Sequence, residues 1–280
     1  MTLTILDGPL GTELLARDVP TPLPGWSAHA LDEAPDVVSA IHADYAAAGA
    51  TVHTTNTFRT RRRTFADWER LARKAVELAR DVIPPGALLA GSIAPLEDCY
   101  RPDLSPADLD PGGTRREHAA LASLLAEAGC DLLLCETFPH VAEGLIALEC
   151  AVATGRPAWI AFTAGPDADL LSPTAMADGA REAVRRGASA VLVNCTPASE
   201  TGGFLAPLLQ AVGADVPIGA YANAGRPDAR MGWQSDHAAP VRYAEAVESW
   251  VDRGATLVGG CCGTGVAHIR ALAERLGDRT

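Results

Sequence analysis

Residues 131–162 read DLLLCETFPHVAEGLIALECAVATGRPAWIAF, and the order of apolar and polar positions in this stretch decides the fold. Leu132 to Cys135 and Ala158 to Phe162 are apolar runs of strand length, and between them Val141 to Thr154 carries apolar residues at helical spacing. Strands apolar throughout are covered on both faces, and two of them joined by a helix pair in parallel. The unit recurs in both directions. Strands are expected at Leu3 to Leu6, Thr51 to Thr55, Leu88 to Ile93, Leu132 to Cys135, Ala158 to Phe162, Ala190 to Val193, Ile218 to Tyr221 and Thr256 to Val258, eight in all. The eight helical segments are Pro35 to Ala48, Asp67 to Val82, Arg115 to Ala128, Val141 to Thr154, Ala175 to Arg186, Phe204 to Val212, Val241 to Arg253 and Val266 to Leu276. Several helices run into glycine just before the next strand (Gly49, Gly129, Gly187, Gly254), as a left-handed C-terminal cap requires. Eight such units without a break in composition predict one (β/α)8 TIM barrel as a single domain over residues 1–280. An open doubly wound sheet is the alternative and suits eight units less well. The Pro/Gly-rich stretches Val19 to Gly25 and Asp98 to Gly113 are read as long loops over the active-site face, or else as solvated excursions.

Composition narrows the function classes. A hydrophobic fraction of 48% with 21% charged residues suits a globular chain with a substantial core. The formal net charge of -12 makes nucleic acid an unsuitable partner, and the basic run RTRRR from Arg59 to Arg63 is too short to offset it. The N-terminal residues MTLTILDGPLGTELL lack a basic region followed by a long apolar stretch, and no run of about eighteen apolar residues occurs, so neither secretion nor membrane insertion is expected. Seven cysteines, an odd number spread along the chain, point to a reducing, cytoplasmic setting rather than a disulfide framework.

Reactive groups of such a barrel sit where its strands end. The residues there are Asp7, Asn56, Ser92, Glu136 with Thr137, Thr163, Asn194 with Cys195, Asn223, and Cys261 with Cys262. The sharpest signal is Gly259-Gly260-Cys261-Cys262-Gly263-Thr264, between the last strand and the last helix. Flanking glycines let both thiols turn toward one point, and a helix start favours thiolate. A catalytic zinc ion uses three protein ligands and keeps a fourth position for substrate, so a third cysteine is required. Cys195 ends the sixth strand; Cys99, in a loop on the same side, is its rival, while Cys130, Cys135 and Cys150 read as packed thiols. A vicinal disulfide and a phosphate-binding glycine loop are the other readings of the pair. Asp7 and Glu136 are a general acid/base pair, a site for an ammonium group, or solvated strand-end acids. The seven histidines form no HxH or HExxH pattern, and Lys74 is the only lysine, which disfavours zinc hydrolases and lysine-dependent aldolases.

On these residues the chain resembles the homocysteine S-methyltransferase family. The matching segments are Asp7-Gly8 with Gly11-Thr12-Glu13-Leu14, Trp26-Ser27-Ala28, Tyr45 to Ala50, Thr55-Asn56-Thr57-Phe58, Cys135-Glu136-Thr137-Phe138-Pro139, Asn194-Cys195-Thr196, Tyr221 to Gly225 and Gly259 to Gly263, spanning almost the whole chain. The resemblance implies Zn2+ held by Cys195, Cys261 and Cys262, with Asp7 and Glu136 on the amino group of homocysteine. It implies methyl transfer to the homocysteine thiol from a sulfonium donor, S-methylmethionine or S-adenosylmethionine, giving methionine. Asn56, Ser92, Thr163 and Asn223 are then candidates for positioning substrate, and Trp26, Tyr221 and Trp233 for an aromatic wall. Ala222, Ala224 and the arginine-rich segment after Phe58 depart from the family pattern and leave the donor open. Betaine, or a methylated corrinoid or folate on a separate protein, is the alternative donor. Outside methyl transfer stands a non-catalytic zinc- or thiol-binding barrel.

Overall fold

The computed structural model describes residues 3–224 and 238–279; Gly225, Trp233 and His237 lie outside them. Eight strands form one sheet: β1 (Thr4–Ile5), β2 (Val52–Thr54), β3 (Leu88–Ile93), β4 (Leu132–Phe138), β5 (Ala158–Phe162), β6 (Ala190–Pro197), β7 (Ile218–Asn223) and β8 (Leu257–Gly260). Their spatial order is β1-β8-β7-β6-β5-β4-β3-β2, with every pairing parallel. A bridge from Leu6 to Val52, with Asp7 N–H donating to the Val52 carbonyl at 2.9 Å, joins the two ends of that order. The predicted (β/α)8 barrel is therefore the observed architecture.

Helices surround the strands: α1 (Leu10–Ala16), α2 (Ala30–Glu33), α3 (Pro35–Ala47), α4 (Trp68–Arg80), α5 (Pro111–Glu127), α6 (Val141–Val152), α7 (Pro173–Arg185), α8 (Ala198–Val212), α9 (Ala239–Asp252) and α10 (Val266–Leu276). The anticipated glycine caps are present. Gly49, Gly129, Gly187 and Gly254 have φ between +98° and +105°, and the residue after each donates back into its helix, as Cys130 N–H does to Leu125 at 3.1 Å. Among the described residues no helix is long and apolar enough to cross a membrane.

Apolar side chains divide by strand alternation into two cores. Leu6, Val52, Leu132, Leu134, Leu192 and Leu257 fill the barrel, while Ile5, Leu133, Cys135, Ile160 and Val193 face the helices, where Tyr45, Phe138, Tyr243 and Trp250 are buried. Four strands outrun their sequence signal, β7 to Asn223 and β8 to Gly260 by two residues each. β4 continues to Phe138 and β6 to Pro197, each with a register shift at its C-terminal end, between Cys135 and Phe138 and between Asn194 and Pro197. The extra residues of these two strands mix polar Glu136, Thr137, Asn194 and Thr196 with others, and such a mixture at a barrel rim gives no hydrophobic alternation to read.

Tyr243 of α9 ties the last two strands together. Its buried hydroxyl accepts from Ala222 N–H at 3.2 Å and faces the carbonyl oxygens of Ala222 and Gly259 at 3.0 and 2.8 Å. Tyr243→Phe is expected to lower stability by about 1–2 kcal/mol, read from the urea midpoint, because it leaves buried backbone groups unpaired with no change in ring packing.

Candidate active site at the barrel mouth

The C-terminal ends of the strands open into a cavity of about 330 Å3. Asp7, Glu136, Cys195, Tyr221, Cys261 and Cys262 line it, and the two long loops supply Leu23 from one and Asp98, Cys99 and Tyr100 from the other, with Trp26 just after the first. Each loop thus forms part of the cavity wall.

Cys195, Cys261 and Cys262 place their sulfurs within 4.8 Å of one another, a group that could hold a metal ion. Cys195 and Cys261 are joined as a disulfide, and Cys262 Sγ lies 3.9 Å from Cys195 Sγ. Strand alternation alone would turn Cys195 outward, since Ala190 and Leu192 face the barrel interior. Instead Cys195 has φ +46°, in the left-handed region, and the backbone turn brings its sulfur into the mouth. Thr137 on β4 is likewise left-handed, at φ +62°. Asn194 locks the two irregular ends together: Thr137 N–H donates to its Oδ1 at 3.0 Å, and its Nδ2 donates to Thr137 Oγ1 at 2.7 Å. Asn223 Nδ2 donates to the Cys195 carbonyl at 3.0 Å.

The Cys261-Cys262 loop is anchored from α1. Gly263 N–H donates to Thr12 Oγ1 at 3.4 Å and Val266 N–H to Glu13 Oε1 at 3.2 Å. The glutamate thus sits at the positive end of α10, so the helix start serves Glu13, where the sequence reading assigned it to the cysteines. Cys99 lines the cavity but stands outside the three-sulfur cluster, and burial pushes its thiol up to about 12. Cys130, Cys135 and Cys150 are buried away from the cavity.

The two acids are buried, and among the described residues neither forms an ion pair with a basic side chain. Burial pushes Asp7 up to about 8, helped by the neighbouring Glu136 and opposed by Thr54 N–H, which donates to Asp7 Oδ2 at 2.8 Å. Burial also raises Glu136, against hydrogen bonds from the Ser92 hydroxyl and from Tyr221 Oη at 3.1 Å. Asn56 lines the cavity and is held by Ser27, donating to its carbonyl at 2.9 Å and accepting from its hydroxyl at 2.7 Å. Ser92 and Asn223 contact residues of the lining, whereas Thr163 accepts from Gly165 N–H at 3.0 Å within its own turn and is not part of the lining. Behind Asp7, His42 and His53 are fully buried with unpartnered ring nitrogens, and burial lowers them to about 3 and 4, so both are neutral near pH 7. Sequence reasoning did not single out Phe58, Arg59 or Tyr100 as cavity residues. None of them ends a strand, and Arg59 was legible only as part of a basic run.

A barrel that gathers three cysteine sulfurs beside buried acids, at the mouth of a small cavity, has a donor set that could hold a metal ion next to a small-molecule site. The family model for homocysteine S-methyltransferase matches residues 4–276. The homocysteine S-methyltransferase of Escherichia coli (strain K12) is 31% identical over 97% of this chain and 94% of its own length. An S-methylmethionine–homocysteine S-methyltransferase of Pongo abelii is 29% identical over 90% of this chain and 72% of its own. The crystal structure of the metallated form of the homocysteine methyltransferase MmuM from Escherichia coli superposes with a TM-score of 0.80 at 27% identity, covering 98% of this chain and 96% of that one. The chain belongs to the homocysteine S-methyltransferase family.

Asn194→Leu keeps the branched four-atom shape of the side chain, with larger terminal groups, and removes both bonds to Thr137. It is expected to lower stability by about 2–4 kcal/mol in urea unfolding, since a buried backbone N–H and hydroxyl lose their partners.

Proposed function

We propose that this protein transfers the methyl group of a sulfonium donor to the thiol of L-homocysteine, giving methionine, with zinc held by Cys195, Cys261 and Cys262. The observation that carries the reading is the convergence of three cysteine sulfurs within 4.8 Å beside two buried carboxyls in one cavity. The donor set fits zinc: soft sulfur ligands, three in number, with room for a fourth ligand from the cavity. Two of the three are joined as a disulfide, whose sulfurs carry no negative charge, so reduction precedes metal binding. A reducing, cytoplasmic setting suits that requirement. Bound in such a site, zinc supplies the Lewis acidity that keeps a substrate thiol deprotonated near neutral pH.

The chain's own groups hold and orient the two substrates. Asp7 and Glu136 are suited to the ammonium group of homocysteine, because a cation restores the charge balance that burial of two acids lacks. Ser92 and Tyr221 orient Glu136, Asn56 fixes Ser27 on the wall, and Asn223 steadies Cys195. Thr163 acts only through its turn. In the transfer, the homocysteine sulfur bonds to the methyl carbon as the donor's carbon–sulfur bond breaks. The electron pair of that bond neutralises the sulfonium, and the thiol proton passes to solvent. A positively charged leaving group needs no general acid, so proximity and orientation are the protein's main contribution.

Reduced protein is expected to bind one zinc per chain and form methionine from homocysteine and S-methylmethionine, while oxidised protein and Cys261→Ser lose both. Zinc bound in equal amount by Cys261→Ser would sink the assignment. A pH effect follows from Asp7, which is protonated at neutral pH in the ligand-free site and ionises when an ammonium group arrives. Homocysteine binding at pH 7 should release a proton that Asp7→Asn does not, and the release should fade above pH 8, where Asp7 is already ionised. Calorimetry in buffers of different ionisation enthalpy measures it.

A further inference from the structure

The arginine run after Phe58 divides by position. Arg63 pairs on the surface with Glu97 and Glu117. Arg61 is buried and donates to the Pro95 carbonyl, a pin between two loops. Arg59 alone faces the cavity, and it is the only basic side chain among the described lining residues.

Its guanidinium is held in place but left largely unsatisfied. It lies over the Phe58 ring with 5.4 Å to the centroid, and one Nη1 N–H donates to the Glu97 carbonyl at 3.2 Å. Its Nε is sealed from solvent with no hydrogen-bond partner, so the donors left for a ligand are those of the outer Nη groups, and no carboxylate among the described residues forms an ion pair with the guanidinium. A guanidinium fixed at its base with donors unfilled in a cavity wall is arranged to receive a planar anion through two parallel hydrogen bonds. The fixed acids Asp7 and Glu136 stand at the strand ends, while Arg59 stands in the loop wall with Phe58, Trp26 and Tyr100. Trp26 and Phe58 meet edge to face at 5.9 Å. Ring faces attract an onium group and the guanidinium attracts a carboxylate, so this wall matches a molecule carrying both.

We infer that Arg59 is the specificity residue for the methyl donor, binding the donor's α-carboxylate while the aromatic wall takes its sulfonium. This deepens the proposed methyl transfer and rests on it. The donor class is accordingly an amino-acid sulfonium with a free carboxylate, and homocysteine is held elsewhere, through its ammonium group.

The test compares S-methylmethionine with its α-carboxamide, which has the same sulfonium and no carboxylate, by calorimetric binding and by methionine formation in zinc-loaded, reduced protein. The unaltered protein should bind the carboxylate about 10- to 100-fold more tightly than the amide, the span of one charge-assisted interaction. Arg59→Gln should erase that preference and raise the KM for S-methylmethionine while leaving the KM for homocysteine unchanged, with Arg59→Lys recovering part of it. Equal binding of acid and amide by the unaltered protein overturns the assignment, and this arm needs no variant to fold. A raised KM for homocysteine in Arg59→Gln, with donor binding intact, also overturns it, placing the guanidinium on the acceptor. Preference for the acid without any methionine formed would refute the transfer reading and leave Arg59 as a carboxylate receptor.

Discussion

A short seam carries the closure of the barrel. β1 has only two residues, pairs with β8 through Thr4 to Leu257 and Ile5 to Val258, and reaches β2 through the single Leu6–Val52 bridge. Closure puts the first and last strands side by side, and with them Asp7 beside Gly260, whose N–H donates to the Asp7 carbonyl at 3.2 Å. Residues separated by almost the whole chain thereby share one cavity. The α1 contacts extend the same seam, since Thr12 and Glu13 hold the loop that carries Cys261 and Cys262. The cysteine site is thus stable only as far as the ring is closed, and closure is a long-range event in the sequence.

Electrostatics give the cavity its division of labour. Burial raises the carboxyls of Asp7 and Glu136, with no basic side chain paired to either among the described residues, and a cationic group beside them favours their ionised forms. Arg59 repeats the arrangement with opposite sign, a cation with unfilled donors in a wall of aromatic rings. A zwitterionic ligand satisfies such poles better than water does, because the protein has already borne the cost of fixing them. Of the five non-glycine residues with left-handed backbone among the described residues, Cys195, Thr137 and Trp26 line this cavity, where such strain is held in place by neighbouring hydrogen bonds.

The sequence alone determined the eight alternating units, their parallel pairing, the glycine caps and the residues at the strand ends, because apolar periodicity and left-handed glycine are local properties of the chain. It also singled out the adjacent pair Cys261 and Cys262 between glycines after the last strand, while the choice of Cys195 over Cys99 as their companion came from the family resemblance. Only the tertiary structure decided how those groups are aimed. The turn of Cys195 into the mouth, the Asn194–Thr137 lock, the capture of the α10 start by Glu13, and the choice of Arg59 among four neighbouring arginines all depend on contacts between segments far apart in sequence. Periodicity reports which face of an element is buried. It carries no information about which distant side chain completes a hydrogen bond, and the direction of each functional group in this cavity is set by such bonds.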